Sequence, residues 1–410
     1  MKRALIVAPH FAPINAPDGH RVRLNLPHYR KNGWAVEVLA VRAKHRPDWT
    51  DESLAESLPA EVPIHRCGAV PLRLARLAGV GTMGWRALPF LAARGSALLA
   101  RGKFDLVVFS TTQFNALNLG PCWRTVFGVP FVVDLQDPWH NDYYDQPGAP
   151  RPPGGWKYRV ARLLSGWQEP RCFRAAAGFT MVSEDYRTLL EKRYPWFRGK
   201  PAATVPFAAP VDDFAGIAAE QRGTPPSLCR CVGALNPAFR SSLRAFFSIA
   251  AQARKADPAG FAWHFEFIGT SYAGEGRKAE TLALEEARAQ GMEDVAREST
   301  DRVPYRESLR LMRGADLLLV LGSDDPKYTP SRLATLVAAG RPVLAVGTRE
   351  SRVLARAATF PGVMCVETDG AGRIDFGKLQ EIPRLPEEYR PEKLAARECA
   401  LWDRAVAGGG

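Results

Sequence analysis

Short runs of apolar, often β-branched residues recur along the chain, each separated from the next by a helix-length stretch of mixed polarity. In the first half they fall at 4–8, 35–40, 105–110, 131–134 and 178–182. In the second half they fall at 228–232, 264–268, 316–321, 342–346 and 363–366. A run that stays apolar without alternating belongs to a strand covered on both faces. Such strands build parallel sheets with helices on either side. Alternation of strand and helix throughout predicts an α/β architecture. The series occurs twice, and 410 residues suit two domains of ordinary size.

A break is predicted across 201–226, where Pro206, Pro210, Pro225 and Pro226 interrupt Ala- and Gly-rich sequence. This gives a first domain over 1–205 and a second over 206–385. A C-terminal segment, 386–410, reads as a helix anchored by Leu394, Leu401 and Trp402 that packs back on the first domain. A stretch rich in Pro and Gly, 143–156, reads as a long loop inside the first domain, and loops of that length are often functional.

Composition narrows the class. With 46% hydrophobic and 24% charged residues, the chain is of ordinary globular make-up. No stretch reaches the roughly 18 apolar residues of a membrane span. The opening residues, Met1 to His10, have only a five-residue apolar core and no small-residue cleavage site, so they read as a first strand rather than a signal peptide. Seven scattered cysteines (Cys67, Cys122, Cys172, Cys229, Cys231, Cys365 and Cys399) argue against a disulfide framework and fit a reducing compartment. The expected location is therefore the cytoplasm. Cys229 and Cys231 share a strand face but lack the second pair of ligands that a zinc site needs.

Charge is unevenly spread. Residues 1–205 hold 28 Lys and Arg against 16 Asp and Glu, and the remainder holds 27 of each. No acid lies between Glu61 and Asp105, where Arg66, Arg73, Arg76, Arg86, Arg94, Arg101 and Lys103 alternate with apolar residues. Residues 66–103 suit an anionic membrane surface. A solvated helical face that lacks acids gives the same pattern. No nucleic-acid signature accompanies the charge, so nucleic acid is not an expected partner.

In open parallel sheets ligands bind beyond the carboxyl ends of the strands, which directs attention to the loops there. The first is Pro9-His10-Phe11-Ala12-Pro13, continuing to Pro17-Asp18-Gly19-His20-Arg21, with a helix expected from about Arg21. Gly19 is a candidate at that helix N-terminus, where backbone N–H groups donate to anions or sugar hydroxyls, and His20 is a catalytic candidate near the reacting centre. A surface loop with a capping Asp fits the same residues. The absence of G-x-G-x-x-G disfavours a nicotinamide or flavin cofactor. Ser110 to Asn115 suit sugar binding or helix capping equally. The most unusual segment is Asp134-Leu135-Gln136-Asp137-Pro138-Trp139-His140-Asn141-Asp142-Tyr143-Tyr144. Asp137 and His140 are candidates for proton transfer or substrate orientation, and Trp139 and the tyrosines for stacking on a sugar. A capped turn with aromatic packing is the alternative. In the second half, Arg240 follows the strand ending at Gly233, and Gly269 and Thr270 end the next strand. Tyr328, Ser331 and Arg332 precede a helix expected from about Ser331. Glycine admits a ligand to the backbone, and Arg beside a helix start suits a diphosphate.

Together these segments resemble the GT-B glycosyltransferases, in particular bacterial enzymes close to family 4 that build surface polysaccharides. The resemblance rests on Val133-Asp134-Leu135-Gln136-Asp137-Pro138-Trp139, Val182-Ser183, Val205-Pro206-Phe207, Phe267-Ile268-Gly269 and Val303-Pro304-Tyr305. It also rests on Thr329-Pro330-Ser331-Arg332-Leu333 leading to Gly340-Arg341-Pro342. It implies two Rossmann-like domains facing a cleft, with a nucleotide diphosphate sugar as donor substrate, held mainly by the second domain. The first domain would hold a glycan or lipid-linked acceptor. It further implies no cofactor, no obligatory metal, and peripheral attachment to the cytoplasmic face of the membrane. The sequence departs from the pattern at two glutamates that family members often carry, where Lys327 and Thr335 stand. Two other readings stay open. One is a non-catalytic GT-B scaffold or binding protein, which the missing glutamates favour. The other is a nucleotide-sugar epimerase, which needs no acceptor.

Overall fold

The structure is a computed structural model that describes all residues except 78, 141–154, 219–226, 272–278, 325–330, 350, 369–373, 375, 377–378 and 409–410. The chain divides into two compact units. One comprises residues 1–207 with 391–410, the other residues 208–390.

The first unit is built on seven strands: β1 (Lys2–Val7), β2 (Trp34–Val41), β3 (Ile64–Cys67), β4 (Leu106–Ser110), β5 (Phe131–Leu135), β6 (Gly178–Met181) and β7 (Ala202–Thr204). Their order in the sheet is β3-β2-β1-β4-β5-β6-β7, and every neighbouring pair is parallel. The helices of this unit are α1 (Pro17–Tyr29), α2 (Ser53–Glu56), α3 (Leu72–Leu77), α4 (Met83–Arg101), α5 (Leu119–Phe127), α6 (Trp156–Ala175) and α7 (Glu184–Arg193). The second unit contains α8 (Val211–Ala215), β8 (Ser227–Val232), α9 (Arg240–Ala256), β9 (Trp263–Ile268), α10 (Leu282–Ala289), β10 (Ala296–Ser299) and α11 (Tyr305–Arg313). It continues with β11 (Leu317–Leu321), α12 (Leu333–Ala338), β12 (Val343–Gly347), α13 (Arg352–Ala357) and β13 (Met364–Glu367). Its sheet order is β10-β9-β8-β11-β12-β13, again all parallel. Both sheets are doubly wound in the Rossmann manner. In each, the strand order reverses beside the first strand, between β1 and β4 and between β8 and β11.

The apolar runs are the central strands. Residues 106–110, 131–135 and 317–321 are buried without exception, as strands sandwiched between helix layers must be. The pattern did not announce β3, β7 and β10. The first two are half-buried along most of their length, and β10 alternates. β3, β7 and β10 lie at sheet edges, so a continuous apolar run is not required of them. Two helix starts also differ from expectation. α1 begins at Pro17 rather than near Arg21, because proline's fixed φ suits the first helical turn. α12 begins at Leu333 rather than Ser331.

A last helix, α14 (Pro391–Ala407), packs against α1 and β6 of the first unit. Trp402 lies 4.8 Å from the Tyr29 ring and 5.4 Å from Trp34, edge-on to the latter. Lys2 and the Trp34 indole both reach Asp403, at 2.8 and 3.2 Å.

Beneath α1 lies a buried polar network. The Arg21 guanidinium donates to both oxygens of Asp134, at 2.6 and 2.8 Å, and to the Pro206 carbonyl at 3.1 Å. Asp134 also accepts from Ser110 and Thr180, both at 2.7 Å, and from Gln136 at 3.2 Å. One pair thus ties α1, β4, β5, β6 and the chain leaving β7. Behind it, Glu398 of α14 accepts from Tyr29 at 2.6 Å and Asn25 at 3.1 Å. Burial, with repulsion from Asp134, pushes the Glu398 carboxyl up beyond what Arg21 takes back.

Removing one partner of a buried ion pair strands the other charge. Asp134→Ala should therefore cost about 3–5 kcal/mol of stability. Urea unfolding of the intact chain, followed by a probe in the first unit, checks this. A loss within about 0.5 kcal/mol, the scale of ordinary surface substitutions, would contradict the account.

Candidate active site

At the first switch point the chain leaves β1 through Pro9 and His10 and leaves β4 through Thr111 and Thr112. The two loops meet at Asp18. Its carboxylate accepts from the Thr112 backbone N–H at 3.4 Å and from the Thr112 hydroxyl at 3.3 Å, and lies 3.4 Å from His10 Nδ1. Asp18 is 3% exposed and His10 6%. Asp18 is thus no helix cap, since α1 is preceded by Ala16 and has no side-chain cap. Among the described residues the His10 Nε2 is buried without a hydrogen-bond partner. Gly19 follows because α1 runs so close to this loop that a Cβ would collide with the His10 carbonyl. Its smallness serves this close backbone packing.

Asp137 leaves β5 two residues beyond its end. Its side chain is reached by solvent, yet surrounding protein displaces enough water to push its carboxyl up to about 6, and repulsion from Asp18 adds to the rise. Asp18 moves the other way. Burial alone would raise it, but the attraction and hydrogen bond of His10, together with Thr112, hold it below the usual carboxylate range. The site therefore pairs one carboxylate kept ionised with another poised near neutrality, a separation suited to acid–base work.

The other candidates of the first unit have different partners. His140 is held through its backbone, its N–H donating to Glu169 at 2.7 Å and its carbonyl accepting from Arg193 at 2.9 Å. Its ring Nδ1 lies 3.1 Å from the Ser165 hydroxyl of α6. Glu169 is fully buried and also accepts from Arg193 and Tyr194. A cavity of about 10 Å³ lies between this network, Asp137 and Trp139, room for about one water molecule. Trp139 stacks on Phe114 at 5.7 Å and packs on Phe173, so its half-buried ring is anchored on the core. His20 lies on α1, 3.0 Å from the Asn15 side chain and within 3.4 Å of Arg23. Of the catalytic candidates Asp137, His140 and His20, it is Asp137 that is coupled to Asp18, through the repulsion between the two carboxylates. His10 and Asp18 were visible as residues of the first loop, but nothing in the sequence showed that Thr112 would meet them.

At the second switch point, Arg332 lies across the end of β8 and donates to the Val232 carbonyl. Gly233, at φ +132°, is what admits it, because a Cβ there would overlap the guanidinium. The loop after β11 is tied to α9 by Ser242, which donates to the Gly322 carbonyl at 2.7 Å, and by Ser241 bonded to Asp324. Gly269 turns the end of β9 at φ +70°. Thr270 is buried, with its hydroxyl donating to Glu298 at 2.7 Å. Arg240 is drawn away to α10, where it pairs with Glu285 and Glu286, each at 2.9 Å. Ser331 is half-buried just before α12, and Tyr328 and Lys327 lie outside the described residues. No group of three or more His, Cys, Asp or Glu among the described residues is placed to hold a metal ion.

Two parallel, doubly wound units, with Asp18 and Asp137 at the first switch point and an arginine at the second, give the chain the GT-B fold. Residues 19–207 match the glycosyl transferase 4-like domain, a little under half of the chain. No curated protein matches the chain at significant similarity. Among solved structures, sucrose-phosphate synthase from Thermosynechococcus elongatus is similar at a TM-score of 0.55 and 13% identity, covering 99% of this chain and 97% of its own. An α,α-trehalose-phosphate synthase (UDP-forming) from Burkholderia xenovorans, in complex with glucose-6-phosphate, has a TM-score of 0.53 and 14% identity, with 98% of each chain covered. The UDP-GlcNAc 2-epimerase from Methanocaldococcus jannaschii has a TM-score of 0.55 and 11% identity, covering 97% of this chain and 98% of its own. At these identities the likeness is one of fold.

The pairing of Asp18 with Asp137 has a measurable sign. Asp18→Asn removes a negative charge, so Asp137 should ionise more readily and its titration midpoint should fall from about 6. Carboxyl-detected NMR titration reads this directly. An unmoved midpoint would show that the two carboxylates do not interact.

Proposed function

We propose that the chain transfers a glycosyl group from a nucleoside diphosphate sugar to a hydroxyl of a glycan or lipid-linked acceptor, in cell-surface polysaccharide synthesis. The observation that carries the reading is the carboxyl of Asp137, solvent-accessible and raised to about 6 beside the low-pKa Asp18. A base of that strength matches the task of taking a proton from an attacking hydroxyl near neutral pH. The Burkholderia protein of similar fold is UDP-forming and was seen with a sugar phosphate, which supports a nucleotide donor and a sugar acceptor.

In this mechanism the bond from the anomeric carbon to the diphosphate breaks while a bond to the acceptor oxygen forms, and the acceptor proton passes to Asp137. His10 and Thr112 hold Asp18 ionised, and Asp18 keeps Asp137 basic. The departing diphosphate gathers negative charge. Arg332 is the cation we assign to it, since a guanidinium has five N–H donors and its bond to Val232 uses one. Protein cations thus take the part that a metal plays elsewhere, and no further cofactor is invoked.

The acceptor's lipid link fits peripheral attachment at the cytoplasmic face of the membrane. Of the basic residues in 66–103, Arg66 donates to the Ala12 carbonyl and Arg86 to the Val70 carbonyl, so these two serve the fold. Arg73 and Arg76 on α3 are exposed, together with Leu72, Leu74 and Leu77, and are the residues we assign to the membrane there. Among the described residues no helix is long and apolar enough to cross a bilayer.

A thermal-shift series with UDP, GDP and their sugars tests the reading. A donor at a hundredfold its Kd should stabilise the second unit by about 2.7 kcal/mol. Asp137→Asn should keep that stabilisation and lose about 10²–10⁴ in nucleoside diphosphate release, with the wild-type rate falling on the acid side about a midpoint near 6. Stabilisation by none of the nucleotides would turn the reading to a non-catalytic scaffold.

A further inference from the structure

Helix α6 is inside out. Its buried side chains are Ser165, Gln168, Glu169, Cys172 and Phe173, three of the five polar and none before its tenth residue. The residues turned to solvent include Trp156, Val160, Leu163, Leu164 and Trp167, with exposures of 69% at Trp156, 76% at Leu163 and 60% at Trp167. At about 100° per residue these five fall in one sector of about 100°, opposite the buried set. Single exposed apolar residues are ordinary, but a continuous stripe of five large ones marks a surface that something covers.

The charges around the stripe say what. Lys157 and Arg159 flank it on either side, and Arg171 and Arg174 continue its line toward the C-terminus. Arg171 lies over the Trp167 ring at 5.3 Å. The helix carries one acid, Glu169, and that is buried in the His140 network. The solvent face of α6 is therefore apolar and cationic, with no anionic group. A second copy of the chain would bring like charges together. Nucleic acid would use the cations but has no need of Val160, Leu163 and Leu164.

We propose that α6 lies flat on an anionic phospholipid surface, its apolar stripe at the level where headgroups meet acyl chains. Trp156 and Trp167, eleven residues apart, span about 16 Å of the helix, and indoles favour that boundary because one side is apolar and the N–H stays wet. The lysine and arginines meet lipid phosphates, and their stems lie along the apolar layer. This surface is separate from the exposed part of α3 and does not depend on which donor or acceptor the protein uses.

Vesicle flotation without nucleotide tests it, with vesicles of phosphatidylcholine alone and of phosphatidylcholine mixed equally with phosphatidylglycerol. The wild-type chain should float with the mixed vesicles and fall away as salt is raised. The double variant Leu163→Ser, Trp167→Ser should bind them at least about tenfold more weakly, with unchanged circular dichroism and melting, since both side chains are exposed. Arg73→Ser, Arg76→Ser serves as the comparison on α3. The proposal is overturned if the wild type ignores the mixed vesicles, or if the α6 variant binds like the wild type. It is also overturned if the wild type is a dimer that the α6 variant dissociates. Failure here leaves the nucleotide thermal shifts untouched, so the two readings fall separately.

Discussion

A guanidinium excluded from water must be met by a carboxylate, and in the first unit the bidentate pair of Arg21 and Asp134 meets that need. The pair is also a ruler. Arg21 lies three residues after Asp18 on α1, and Asp134 lies three residues before Asp137 at the end of β5. Each carboxylate of the candidate site is therefore one short step along the chain from one half of the pair. Ser110 and Thr180 fix Asp134 from the neighbouring strands, and the Pro206 carbonyl fixes Arg21 from the exit of the unit. A shift of α1 along the sheet that moved Asp18 away from Asp137 would first have to open a buried, hydrogen-bonded ion pair. Glu398 adds a second carboxylate behind Arg21, and its raised proton affinity reports that one guanidinium does not satisfy two buried acids equally.

Much of this fold was legible in the sequence where burial is two-sided. Strands such as 106–110 and 317–321 must be apolar throughout, and that is the strongest pattern a chain can show. The edge strands escaped because half-buried or alternating positions carry no such demand. Ile64-His65-Arg66-Cys67 shows no apolar run although it pairs with β2 residue for residue. The site was legible at Asp137, whose segment is unusual in composition, and illegible at Asp18. An Asp after Pro at a helix start reads as a cap, and only the meeting of the loops after β1 and β4 gives it Thr112 and His10. His20 and His140 stood out as histidines in loops, but a side chain's type says nothing of what its neighbours already claim. The same limit hid Arg66 and Arg86, which read as surface charge and instead hold backbone carbonyls.

In the second unit Lys327 and Thr335 stand where the resemblance puts glutamates, so the proposed donor site depends on other residues. The switch point is closed by a mutual fit, Gly233 yielding the volume that the Arg332 guanidinium fills. Neither residue makes sense alone. A larger residue at 233 would drive the arginine off, and Gly233 also sits in a backbone conformation that L side chains rarely adopt. Arg240, by contrast, follows the same strand and reads as an equal candidate, yet two glutamates of α10 neutralise it. The difference between the two arginines lies in their partners.

The uneven charge of the chain can be resolved on the same terms. Several of the cations in residues 1–205 are held inside the fold, Arg21 on Asp134, Arg193 on Glu169, and Arg66 and Arg86 on the carbonyls of Ala12 and Val70, and the last two of these pairings leave their positive charge unneutralised. What remains at the surface includes Arg73 and Arg76 on α3 and Lys157, Arg159, Arg171 and Arg174 on α6, the two helices that also expose leucines. Solubility alone would be served by cations placed anywhere on the surface, and it would be harmed by apolar side chains beside them. Coincidence of cation and apolar residue on the same helix face is what an anionic, partly apolar boundary selects. The first unit thus carries both the proton-transfer candidates and the membrane-suited faces, which is where a lipid-linked acceptor would need them.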